Sequence, residues 1–219
     1  NLFPILLNKH VNKIIPLGNG YVAVGRLRDV EGEVSDHGLI VASDENGSIL
    51  WQSVTEDSMG ACEFKDAVRS DQGHIFALAC NVESERPMFV AEYSDATLLR
   101  KVDLKIGDGY DGIKRGQSIE IYNDEIWTAT AINYMGEATI LFHRLSLDGN
   151  DIETLTDKIY DLAQAEVQFA TVGNQLLYHA TGGIMNKNTF ETSYNNCWIT
   201  HVRAITMEEH EASASSSAP

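Results

Sequence analysis

Short apolar runs alternate along this chain with clusters of turn-forming polar residues, and apolar positions almost nowhere recur at the helical period of 3.6. Gly18-Asn19-Gly20 leads into Tyr21-Val22-Ala23-Val24-Gly25, and Asp71-Gln72-Gly73-His74 into Ile75-Phe76-Ala77-Leu78-Ala79. Asn123-Asp124-Glu125 leads into Ile126-Trp127-Thr128-Ala129-Thr130-Ala131, and Gly173-Asn174-Gln175 into Leu176-Leu177-Tyr178-His179-Ala180-Thr181. From Gly20 to Gly73 is 53 positions, from Gly73 to Asp124 is 51, and from Asp124 to Asn174 is 50. A turn-plus-strand unit repeated at one spacing marks a repeat architecture.

Each unit has the same grammar. A strand precedes the turn, at Val11 to Leu17, Phe64 to Ser70, Gln117 to Tyr122 and Val167 to Val172. A third strand follows at Gly38 to Ser43, Met88 to Tyr93, Ala138 to Leu145 and Cys197 to Ala204, and a fourth at Ile49 to Val54, Thr97 to Val102 and Asp151 to Leu155, with its fourth-unit counterpart after Met207. The stretch Asp36 to Trp51 is the clearest hairpin, and its Asn46-Gly47 pair predicts a tight type I′ turn. Four short antiparallel strands per unit predict an all-β chain, a β-propeller made of four-stranded antiparallel blades, about four of them. The blades fall at approximately 11–63, 64–115, 116–165 and 166–207, with 1–10 as a strand of another blade and 208–219 as a disordered tail or linker. A β-α-β reading fails because the one helix-like stretch, Asp157 to Ala165, is too short for a crossover. Closure stays open between a four-bladed ring, part of a larger propeller, and half of a ring completed by a partner; an incomplete propeller is favoured because both ends look cut.

Composition narrows the partners. The 219 residues carry 16 Lys and Arg against 32 Asp and Glu, a formal charge of -16, which repels phosphate backbones and anionic lipid and argues against nucleic acid. No apolar run approaches the roughly 20 residues of a membrane span. The opening Asn1-Leu2-Phe3-Pro4-Ile5-Leu6-Leu7 lacks a basic leader and an initial Met, so it reads as a processed or engineered start. Cys62, Cys80 and Cys197 allow at most one internal disulfide and have no zinc-ligand spacing.

The pattern Gly-x-Gly-Tyr-Val-Ala-Val-Gly, a polar loop, then Asp-x-Gly-Leu-Ile-Val-x-x-Asp-x-Asn-Gly-x-Ile-Leu-Trp resembles the repeats of bacterial quinoprotein-like β-propellers. Thr181-Gly182-Gly183 with Tyr194-Asn195-Asn196-Cys197-Trp198-Ile199 repeats it in the fourth unit, and the likeness runs over about residues 11 to 206. The resemblance implies the fold and a secreted, periplasmic or cell-surface setting. It implies no quinone, because no ligand set can be placed residue by residue.

Candidate chemistry is thin. Trp51, Trp127 and Trp198 sit inside predicted strands and read as packing between blades. His74 and His179, with His143 and His201, fall at matching positions without any sequence signal that they converge, and His10, His37 and His210 add none. Gly107-Asp108-Gly109-Tyr110-Asp111-Gly112 resembles a calcium loop but has too few oxygen ligands; Glu56-Asp57 and Asp44-Glu45 read as solvated turns. No nucleophile elbow, P-loop or zinc-protease motif occurs. The sequence therefore predicts no cofactor, no metal and no assigned catalytic group: a non-enzymatic interaction or assembly module that binds a protein partner, or itself, through blade edges or loops. The alternative is a propeller enzyme or carbohydrate-binding lectin whose central funnel brings together acids such as Asp66, Glu120 or Glu166.

Overall fold

A computed structural model of the chain describes residues 9–28, 36–81, 88–104, 113–134, 137–160, 162–186 and 191–205. Strands β1 (Lys9–Leu17), β2 (Gly20–Arg28), β3 (Asp36–Asp44) and β4 (Ile49–Val54) form the first sheet. β5 (Cys62–Arg69), β6 (Ile75–Asn81), β7 (Phe89–Ser94) and β8 (Thr97–Asp103) form the second. β9 (Ile113–Tyr122), β10 (Glu125–Tyr134), β11 (Glu137–Ser146) and β12 (Asp151–Tyr160) form the third, and β13 (Leu162–Val172), β14 (Gln175–Asn186) and β15 (Glu191–Ala204) the fourth. Every neighbouring pair is antiparallel and in chain order, so each sheet is a blade and the chain is a four-bladed β-propeller. The strand expected after Met207, the segment Phe3 to Leu7, the Gly107 to Gly112 loop and the tail 208–219 lie outside the described residues.

The blades stack because their strands have two apolar faces. In β6, Ile75, Ala77 and Ala79 pack with Phe64, Phe89 and Tyr93 onto Val22, Val24, Ile40 and Ala42 of the first blade. The alternate residues Phe76 and Leu78 pack onto Ile119, Ile126 and Leu145 of the third blade. On its other face the third blade offers Trp127, Ala129, Ile140 and Phe142 to Val167, Leu176 and Tyr178 of the fourth. Gly38 makes room at the first of these joints, since a Cβ there would come within 2.9 Å of both the Phe64 ring and the Thr55 methyl. First and fourth blades share no extensive strand-to-strand contact among the described residues.

Three local expectations are corrected. The Asn46-Gly47 turn is not type I′: only Gly47 has positive φ, at 82°, and the loop closes through Asp44 N–H to Ser48 O and Gly47 N–H to Asp44 O. Asp44 Oδ1 accepts from the Asn46 and Ser48 amides, so the carboxylate organises a longer turn ending in a left-handed glycine. The same device recurs at Ser70 to His74 with Gly73 and at Ser146 to Asn150 with Gly149. Paired positive φ angles occur instead at Asn123 and Asp124. The described residues of the helix-like Asp157 to Ala165 are strand, 157–160 ending β12 and 162–165 opening β13. The fourth unit's third strand, expected from Cys197, begins already at Glu191 as β15, and its pairing with β14 shifts register between Gly183 and Ile184.

Candidate functional site in the channel of first strands

The first strand of every blade carries a bulge at the same place. Pairing skips Asn12 in β1, Lys65 in β5, Gln117 in β9 and the Gln164-Ala165 pair in β13. A bulge adds twist and re-aims the residue after it. Those residues are Lys13, Asp66, Ser118 and Glu166, and the first three are linked blade to blade. Lys13 Nζ lies 3.1 Å from Asp66 Oδ1; Asp66 Oδ2 accepts from Ser118 Oγ and from the Ile119 amide, both at 3.1 Å. Ser118 Oγ in turn accepts from the Phe169 amide at 3.0 Å. Asp66 is buried and fully bonded, so this relay fastens the first strands around the channel.

A second cluster lies nearer the start of those strands, at the end where the long polar loops join β2 to β3 and β6 to β7. Glu63 accepts from Asn12 Nδ2 at 2.6 Å and from Lys65 Nζ at 2.7 Å, with His10 Nδ1 at 3.6 Å. Asp36 takes Arg28 Nε at 2.9 Å and Arg26 Nη1 at 3.1 Å. That same Arg26 nitrogen is 3.8 Å from Glu63 Oε2, so one guanidinium holds the two carboxylates as neighbours. Arg28, then Arg26, keep the Asp36 carboxyl below its ordinary value against the cost of burial. Burial alone would raise Glu63, but Lys65, Asn12 and Arg26 together hold it low. Both groups have folded-state values below their unfolded ones, so their stabilisation is complete above the ordinary carboxylate range and lost as pH falls through the depressed values. The melting temperature is expected to drop on acidification below about pH 4, and Glu63→Gln to flatten that drop in thermal melts; an unchanged acid profile would remove the cluster from the account.

Glu120 is the exception among the acids. It sits on β9 two residues past Ser118, a rise of about 7 Å along the strand. Burial raises its carboxyl; the Ile121 amide opposes this, Asp66 adds to it and Lys13 opposes it again, leaving the value above the ordinary one. Asp66, fully hydrogen-bonded, and Glu120, whose carboxyl burial holds above its ordinary value, thus stand on neighbouring first strands. Of the three acids that the sequence singled out, Asp66 and Glu120 come together, whereas Glu166 is exposed and has no described partner. Glu63, Asp36, Arg26, Arg28, Lys13 and Ser118 were not foreseen; Lys13 and Ser118 follow bulges, a signal visible once the bulges are known, and the other four carry none.

Among the described residues the histidines do not converge. His74 Nδ1 bonds Glu92 at 2.7 Å in a cleft of about 360 Å³ between the second and third blades, while His143 is buried beside Thr128. Among the described residues no group of three His, Cys, Asp or Glu is placed to hold a metal ion. Trp51 and Trp127 pack in the joints between blades, and the side chain of Trp198 lies outside the described residues. Cys62 is a buried thiol 3.3 Å from Thr55 Oγ1, and burial raises its value.

These features define a propeller whose first strands are tied together by buried carboxylates, and solved structures match that fold. No family model and no curated protein matches the chain. It superposes on the Bombyx mori GH32 beta-fructofuranosidase BmSUC1 with a TM-score of 0.52 at 13% identity, covering 90% of this chain and 48% of that one. A mutant of the same enzyme in complex with sucrose gives 0.50 at 13%, over 89% and 46%. A subtype N11 neuraminidase-like protein of A/flat-faced bat/Peru gives 0.46 at 10%, over 86% and 58%. The chain thus spans about half the length of these structures, and the likeness carries the fold. The expectation of a non-enzymatic interaction or assembly module is corrected by this finding, because the structures matched at a TM-score of 0.50 or more are those of a beta-fructofuranosidase and not of an interaction module. No helix among the described residues is long and apolar enough to cross a membrane.

Proposed function

We propose that this protein is a carbohydrate-directed propeller enzyme working from the channel of first strands. The observation that carries the reading is the Asp66 and Glu120 pair on neighbouring first strands: Asp66 is buried and fully hydrogen-bonded, and burial raises the carboxyl of Glu120 near it. Glycoside cleavage uses such a pair, one group donating a proton to the leaving oxygen and the other supporting positive charge on the sugar. Glu120 takes the donor role, protonating the leaving oxygen as a solvent water forms the new bond to the sugar carbon and gives up its proton; Asp66, too buried to attack, holds the neighbouring first strand in place. The Glu63, Asp36 and Arg26 cluster, with its half-exposed cations, supplies hydrogen-bonding partners for sugar hydroxyls at the end where the polar loops join. The matched beta-fructofuranosidase, solved with sucrose in its mutant form, favours a saccharide over other neutral ligands.

An extracytoplasmic setting, a kinship with quinoprotein-like repeats and the absence of a nucleic-acid partner belong to the same reading. The test is a screen of fructosides, other disaccharides and nitrophenyl glycosides by reducing-sugar release, paired with a glycan array. Turnover supports the reading. Binding without turnover turns it to a lectin. Folded protein that neither cleaves nor binds any glycan overturns it.

A further inference from the structure

Three side chains, on the second, third and fourth strands of a blade, stand side by side and face the following blade. In the first blade they are Val22, Ala42 and Trp51; in the second, Phe76, Glu92 and Arg100. The first joint is closed there by the Trp51 indole, which packs against the core. In the second joint the charged pair takes the indole's place and leaves the cleft of about 360 Å³, a volume within the range of small-molecule sites. The cleft lies at the end of the strands marked by the Ser70 to His74 turn, opposite the end that holds Glu63 and Asp36.

Its walls are fixed by bonds across the joint. Glu92, buried, takes His74 Nδ1 on one oxygen at 2.7 Å and Arg100 Nη2 on the other, and the same Arg100 nitrogen donates to Leu147 O of the third blade at 2.6 Å. Gly149 makes room for the guanidinium, since a Cβ there would come within 2.6 Å of Arg100 Nη1. Glu92 and Arg100 thus satisfy each other, and a ligand meets different groups. With its Nδ1 proton given to Glu92, neutral His74 keeps Nε2 as an acceptor. Asp148 also lines the cleft, bonded to Ser146 and Asn150 and, among the described residues, in no ion pair. Leu99, 50% exposed, and Leu147 add apolar surface. Two acceptors beside apolar surface, on a chain of formal charge -16, suit a cation with an apolar body.

We propose that this cleft binds a small organic ammonium, whose N–H groups donate to the Asp148 carboxylate and His74 Nε2 while its apolar body lies against Leu99 and Leu147. The site is separate from the first strands, and it stands whether or not the protein acts on a saccharide.

Ligand-observed NMR on the full chain at neutral pH tests this with three probes of one shape: phenethylammonium, 2-phenylethanol and 3-phenylpropanoate. The ammonium is expected to bind at millimolar concentration, and the alcohol and the carboxylate are not. Asp148→Asn is expected to weaken the ammonium about threefold, as loss of an exposed charge partner does, and Leu99→Ser to weaken it as well. Asp44→Asn makes the same charge change in the same kind of turn on the first blade, and is expected to leave binding unchanged. Circular dichroism checks that each variant is folded. No binding of the ammonium overturns the proposal, as does equal binding of all three probes. Equal weakening by Asp148→Asn and Asp44→Asn, or none by Leu99→Ser, overturns it too, because the attraction would then belong to the acidic surface at large.

Discussion

Asp66→Ala is expected to cost about 4 kcal/mol of stability, lowering the melting temperature by about 12 °C for a chain of this size. The carboxylate is buried and accepts the Ile119 amide and Ser118 hydroxyl of the next blade while pairing with Lys13 of the previous one. Alanine leaves two buried donors without partners, and each such orphan costs about 1–3 kcal/mol. It also leaves Lys13, which is half exposed and can turn to water, so little of the loss comes from the ion pair itself. Lys13→Ala should accordingly cost under about 1 kcal/mol. Ser118→Ala removes the acceptor for the Phe169 amide and one donor to Asp66, for about 1–2 kcal/mol, and the double variant should fall short of the sum because the two side chains share one bond. Chemical denaturation of the four variants gives these numbers. A loss below about 1 kcal/mol for Asp66→Ala would mean that the relay does not fasten the blades.

Glu120→Gln is expected to move stability and activity in opposite directions. The folded-state value of Glu120 is raised, so its proton is held more tightly folded than unfolded. Its contribution is complete below the unfolded value and disappears as pH rises through the folded one, above which the ionised group is a burden. Glutamine keeps the shape and removes the charge, so the variant should be at least as stable as the wild type above that value. If Glu120 donates the proton in glycoside cleavage, the same change lowers the turnover number by about 100-fold or more and removes the alkaline limb of its pH profile. Wild-type activity in the folded variant would place the proton donor elsewhere. A melting temperature that falls with activity would mark Glu120 as a packing residue.

Much of the architecture is written in the alternation itself. Gly20, Gly73, Asp124 and Asn174 recur at one spacing because each lies at or just before the start of the second strand of a blade, and a strand flanked by blades must be apolar on both faces, as Ile75 to Ala79 is. Local geometry was less legible. Asn46-Gly47 has the composition of a type I′ turn, yet the Asp44 carboxylate captures two amides and sets a longer turn; competition between a side chain and the backbone is settled by geometry. Asp157 to Ala165 looks helical by composition, but Asp157 bonds Tyr178 and Arg203 of the neighbouring blade, and the edge-strand pairing with β11 overrides the local preference.

The candidate site divides in the same way. Asp66 and Glu120 could be picked out as acids on first strands, because strand order follows from the repeat. That they come near each other, that Glu166 has no described partner, and that Glu63 and Asp36 flank one guanidinium all depend on where the bulges fall. A bulge shifts which face a side chain takes, and no single residue type announces it. The sequence by itself determined the repeat, the blade and the acidic surface, since these rest on periodicity and composition. Only the tertiary structure decided which carboxylates meet and which joint between blades keeps a cleft, since those depend on contacts between residues about 50 positions apart.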